Sequence, residues 1–160
     1  MRQKQGNKRV NIINNKNLDD IRKTILSEAA ELDSAEKKME YLSTELHKTF
    51  EHYYWVGFYI PDGDAMTLGP SAGPPACSSI GYQGVCGAAF KSGKSLIVPD
   101  VGKFPGHIVC DPESKSEIVI PVKNSENAVF ALLDVDSDRL DAFGEQDAEF
   151  LENLVSELFS

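Results

Sequence analysis

"SEIVIPVKNSENAVFALLDVDS", residues 116–137, is the stretch on which the fold turns. "SEIVIPV" and "AVFALLDVD" are apolar runs rich in β-branched residues, and "KNSEN" between them has the composition of a turn, which predicts a β-hairpin. Successive side chains of a strand point to opposite faces. Asp134 and Asp136 therefore share one face while Leu133 and Val135 take the other, and Glu117 likewise opposes Ile118 and Ile120. If the two arms pair, three carboxylates converge on one side of a sheet. Crowded like charges raise one another's pKa, which makes one of the three a candidate general acid near neutral pH. Spacing alone equally allows a solvated polar face, and that alternative stays open here.

Upstream, "YYWVGFYI" (53–60) reads as a buried strand, "PDGD" as a turn and "AMTLG" as the returning arm of a second hairpin. Before it, Leu18, Ile21, Ile25, Ala29 and Leu32 recur at helical spacing. Asp33 and Ser34 break that helix, and Ser34 is a candidate N-cap for another, whose stripe is Met39, Leu42, Leu46 and Phe50. "VCGAAFKSG" predicts a helical turn or two and "SLIV" a strand. "EQDAEFLENLVSELF" closes the chain as a helix with Ala148, Leu151, Val155 and Leu158 inward. This order predicts an α+β fold, an antiparallel sheet flanked by N-terminal helices and a C-terminal helix. Residues 1–17 are expected to be a basic, flexible tail, and 18–160 a single domain.

Composition narrows the function. The chain has 160 residues, 41% hydrophobic and 26% charged, with a net charge of −9. Arg2, Lys4, Lys8, Arg9 and Lys16 place five of the 16 bases in the first 17 residues, which hold none of the 25 acids. The body is thus strongly acidic and repels nucleic acid and anionic membrane surfaces. The basic tail has no aromatic residue to stack on bases. No apolar run approaches the roughly 20 residues of a membrane helix, and no secretory signal is expected at the N-terminus. With only three cysteines, the expected location is the reducing cytoplasm.

Two Pro/Gly-containing loops, 70–81 and 99–115, are long enough to suggest function, and both contain cysteine. A zinc site would take Cys77, Cys86, His107 and Cys110, but eight residues separate Cys77 from Cys86, against the usual two to four. Core thiols are a second reading, disfavoured for Cys77 and Cys110 by their loops. Thiol redox chemistry is the third. Cys86 follows Gly84 at a predicted helix start, and Cys110 has His107 within sequence reach. Pattern alone does not choose the nucleophile.

"WVGFY", "GPPAC", "GVCG", "DVGKFPGHIVCD", "SEIVIPV" and "LDVDS", in that order, closely resemble the free methionine-(R)-sulfoxide reductases, which are single GAF domains. The resemblance runs from about Tyr54 to the last helix. It implies a GAF-like sheet, Cys110 as nucleophile, Cys77 as the main resolving thiol and Cys86 as a second or alternative one. It further implies that Glu117, Asp134 and Asp136 hold the substrate and its sulfoxide oxygen, with Trp55 and Tyr59 beside the methyl group. The implied reaction reduces free L-methionine (R)-sulfoxide through a sulfenic acid and a disulfide. No bound cofactor or metal is expected, thioredoxin supplies the reducing equivalents, and the family implies a homodimer. The chain departs from the family pattern in having "SAGPP" before Cys77, which bears on which thiol resolves. A GAF sensor that binds a small molecule without reaction is the alternative, and His107 is expected to be a loop-packing residue.

Overall fold

The computed structural model describes residues 15–160. Among these, four helices and six strands follow in the order α1 (Asn15–Ala29), α2 (Ala35–Thr49), β1 (Trp55–Asp62), β2 (Ala65–Ala72), β3 (Ser79–Ile80), α3 (Val85–Ser92), β4 (Leu96–Val98), β5 (Ser116–Lys123), β6 (Val129–Ser137) and α4 (Glu145–Phe159). A 3₁₀ turn at Val101–Lys103 lies between β4 and β5. Of the tail expected at 1–17, residues 1–14 lie outside the described residues. α1 begins at Asn15, ahead of its first apolar stripe residue, because a first helical turn of polar residues carries no hydrophobic signal.

The strands form one antiparallel sheet in the order β3-β2-β1-β6-β5-β4. The hairpin at 116–137 forms as its alternation demands, and β6 then pairs with β1 across the centre. Pro121 lies beyond the reach of β4, which pairs only with residues 117–119, and opposite Leu132 of β6 on its other side. β2 runs on to Ala72, past the "AMTLG" expected of it, after a shift of register between Gly57 and Tyr59 of β1. That irregularity accommodates Pro70 in a segment whose composition reads as loop.

The two faces carry separate cores. Val56, Phe58, Ile118, Ile120, Leu133 and Val135 meet the apolar stripes of α1, α2 and α4. Ser34 caps α2 as expected, its Oγ accepting from Lys37 N at 3.2 Å. Gly144 offers α4 no side chain, but Asp147 Oδ2 accepts from its amide at 2.9 Å. On the opposite face, Trp55, Tyr59, Val119 and Leu132 are covered by α3 and the two long loops. No helix among the described residues is long and apolar enough to cross a membrane.

Candidate active site

Antiparallel register builds the site in rows. Val98, Glu117, Asp136 and Trp55 stand side by side across β4, β5, β6 and β1. The next row is Leu96, Val119, Asp134, Gly57 and Ser71, and Leu132, Tyr59 and Leu68 follow. The three carboxyls expected to converge therefore do so, and they are not a solvated face. Glu117 and Asp134 are each only 5% exposed, while Asp136 is partly exposed.

Burial drives the electrostatics. Desolvation, with Asp136 as the next cause, pushes Glu117 up to about 8 from 4.5. Asp134 is raised well above the ordinary aspartate value by burial and then by the Glu117 charge. Asp136 is raised by burial and then by Asp134. Oδ1 of Asp134 is buried and receives no hydrogen bond from the described residues. An unsatisfied acceptor in a low-dielectric pocket is costly, and a cationic or hydrogen-bond-donating ligand would relieve it.

The cysteines divide by environment. Cys77 and Cys110 are joined in a disulfide with Cα atoms 5.3 Å apart, and both are partly exposed. That bond takes two of the four residues that a Cys₃His zinc site would need. Cys86 is free and buried at the second helical position of α3. Its sulfur and one oxygen each of Glu117 and Asp134 lie within 4.8 Å of one another. Burial first and then the Asp134 charge raise the Cys86 thiol well above its usual range, against the pull of the helix end. Cys86 thus sits as a buried thiol, and the two loop cysteines are bonded to each other.

A cavity joins these groups. Trp55 and Tyr59 line it from the sheet, Cys86 from α3 and Cys110 from its loop, with the three acids on the same lining. The rings of Trp55 and Tyr59 are 6.0 Å apart. Two tyrosine hydroxyls hold the cysteine loops against β1: Tyr59 donates to the Cys77 carbonyl at 2.8 Å, and Tyr54 to Asp111 Oδ2 at 2.9 Å. His107 lines the cavity too, and burial lowers its pKa, so it is neutral at neutral pH.

Sequence reasoning missed Gly57, Gly106 and Tyr54. A Cβ at Gly57 would lie 2.4 Å from Trp55 Cη2 and 2.7 Å from Ser71 Cβ, so the missing side chain is what lets the indole fold over the strand. A glycine inside a strand pattern is the signal for such close approach. Gly106 has φ +78°, and a Cβ there would meet Gln83 O at 2.4 Å, which seats the Cys110 loop against the turn before α3. Tyr54 has no comparable signal, since its partner Asp111 lies 57 residues away.

The profile of the GAF domain family matches residues 15–158. GAF domain-containing protein A of Dictyostelium discoideum is 48% identical over 106 residues, covering 65% of this chain and 66% of that protein. The free methionine-R-sulfoxide reductase of Saccharomyces cerevisiae is 42% identical over 105 residues, covering 63% of this chain and 58% of that protein. The matched stretches thus span somewhat under two thirds of the length of these curated relatives. The crystal structure of free methionine-R-sulfoxide reductase from Neisseria meningitidis with its substrate superimposes with a TM-score of 0.83 at 35% identity, covering 88% of this chain and 85% of that one.

Proposed function

Because the chain belongs to the GAF domain family and, within it, to the free methionine-R-sulfoxide reductases, we propose that it reduces free L-methionine (R)-sulfoxide to methionine. The observation that carries the proposal is a disulfide-forming cysteine, Cys110, on the lining of one cavity with Glu117, Asp134 and Asp136. A relative's substrate complex supports the substrate class.

The reaction follows from the chemistry of the groups. The Cys110 thiolate attacks the tetrahedral sulfoxide sulfur while a carboxyl of the trio, held protonated by burial, protonates the oxygen. The protonated oxygen passes from the substrate sulfur to Sγ of Cys110 as the sulfur–oxygen bond and the new sulfur–sulfur bond break, so methionine departs and Cys110 is left as a sulfenic acid. The Cys77 thiol then displaces its oxygen, which leaves as water, and the Cys77–Cys110 disulfide forms. Thioredoxin returns two electrons by thiol–disulfide exchange, so no bound cofactor is required. The orphaned Asp134 oxygen is suited to the substrate ammonium, which is lost when methionine is part of a peptide, and this accounts for preference for the free amino acid. Trp55 and Tyr59 border the methyl group. A homodimer in the cytoplasm is the accompanying expectation.

The test is NADPH consumption coupled through thioredoxin and its reductase, with free R, free S and peptide-bound sulfoxides compared. Turnover is expected for the free R epimer alone and is expected to vanish in Cys110→Ser. Tight binding of a metabolite without turnover, unaffected by Cys110→Ser, would instead establish a GAF sensor.

A further inference from the structure

Cys86 takes no step in the reaction proposed above, yet it is not surrounded by apolar side chains alone. Its sulfur and one oxygen each of Glu117 and Asp134 lie within 4.8 Å of one another, and all three residues line the cavity. Regular elements rather than loops bring them together. Glu117 on β5 and Asp134 on β6 project from one face of the sheet, and α3, which carries Cys86, packs over both strands. Asp134 is only 5% exposed, and its Oδ1 is buried without a hydrogen-bond partner among the described residues. An amino acid's ammonium would satisfy that oxygen but gives no reason for a thiol beside it, since sulfur is a weak acceptor. A metal ion accounts for the thiol and the orphaned oxygen together.

We infer that Cys86, Glu117 and Asp134 form an inhibitory site for one Zn²⁺ ion. Zinc takes thiolate sulfur at about 2.3 Å and carboxylate oxygen at about 2.0–2.2 Å, with three protein ligands and a water as one of its common arrangements. Rotation of the three side chains closes their 4.8 Å spread onto a shared ion. Mg²⁺ and Ca²⁺ do not match this set, because both require a fuller shell of oxygens and neither favours sulfur. As the ion binds, the Cys86 thiol gives its proton to water, the sulfur–zinc bond forms, and the two acids bind as carboxylates. No electrons are exchanged. The ion takes the place assigned above to the substrate's ammonium, so zinc and sulfoxide exclude each other. Metal binding stands apart from the proposed reductase activity, whereas the exclusion rests on it.

The oxidised protein provides the test, because the Cys77–Cys110 bond leaves Cys86 as the one free thiol of the three cysteines. Co²⁺ serves as the spectroscopic probe in place of Zn²⁺. A sulfur-to-cobalt charge-transfer band is expected in the near ultraviolet, bleached by added Zn²⁺ and untouched by excess Mg²⁺. Cys86→Ser is expected to abolish the band. Asp134→Asn is expected to weaken Co²⁺ binding by at least about tenfold, a loss that even an outer-shell partner causes. No band in the wild type, a band indifferent to Zn²⁺ or bleached by Mg²⁺, a band surviving in Cys86→Ser, or unchanged affinity in Asp134→Asn would each overturn the site. Free methionine (R)-sulfoxide, which has no thiolate of Cys110 to react with in this form, is expected to displace Co²⁺. A band that the sulfoxide leaves intact would overturn the exclusion and count against the proposed activity, and the metal site would stand by itself.

Discussion

Glu117 ties the chemistry of the site to the stability of the chain. Its carboxyl titrates near 8 in the folded protein against 4.5 in the unfolded chain, with burial the main cause. Between those values the folded state holds a proton that the unfolded state has released. Its contribution to stability is therefore complete below 4.5 and is lost as pH rises through about 8. Asp134 and Asp136, raised for the same reason, act in the same direction. Urea midpoints are expected to fall from pH 5 to pH 8.5, and Glu117→Gln to flatten that fall while reducing turnover. The cysteines make a second prediction at this scale. Stoichiometric substrate should yield the Cys77–Cys110 disulfide, with Cys86 open to alkylation only after unfolding; mapping a Cys86–Cys110 bond would reverse the resolving assignment. The acid trio was legible because period-two alternation is a local property of one hairpin. Gly57 and Tyr54 were not, because their partners are set by the folding of strand against strand and loop, which the local pattern does not contain.

Elements differ in how plainly the chain announces them. The stripes of α1, α2 and α4 and the cap at Ser34 were readable, since helical spacing and capping depend on neighbours a turn away, although α1 ends at Ala29, short of the Leu32 read into its stripe. Ser34→Ala is expected to cost about 0.5–2 kcal/mol, measured as a shift in the denaturant midpoint. The continuation of β2 to Ala72 and the two-residue β3 were hidden under Pro, Gly and Ser, where only pairing with β1 and with β2 itself holds the backbone extended. β1 shows the cost of altering such an element. Gly57→Ala would overpack the indole and Ser71, a change of about 1–3 kcal/mol in a filled core. Trp55 is the sole tryptophan, so its fluorescence reports any displacement directly. An unshifted emission spectrum with unchanged stability would show that the indole does not rely on Gly57.

At the scale of the molecule, the sheet is a partition. Leu133 points to the helical side and is fully buried there, while its neighbours Leu132 and Asp134 point to the other side, Asp134 lining the cavity. Leu133→Ala is expected to destabilise by about 2–5 kcal/mol and to leave KM for the sulfoxide near wild type, because the lost volume lies on the far face. The disulfide has a bearing on the whole chain as well as on the reacting sulfurs. It links residues 33 apart in sequence, and the loop it closes includes β3, α3 and β4. Closing a loop of that length removes freedom from the unfolded chain worth about 3–4 kcal/mol in the chain-entropy account. In the proposed reaction, each catalytic cycle therefore fastens and unfastens a staple. The fully reduced protein, the one armed to act, is expected to melt several degrees below the spent form, so that substrate, by consuming the thiols, moves the molecule into its more heat-resistant state.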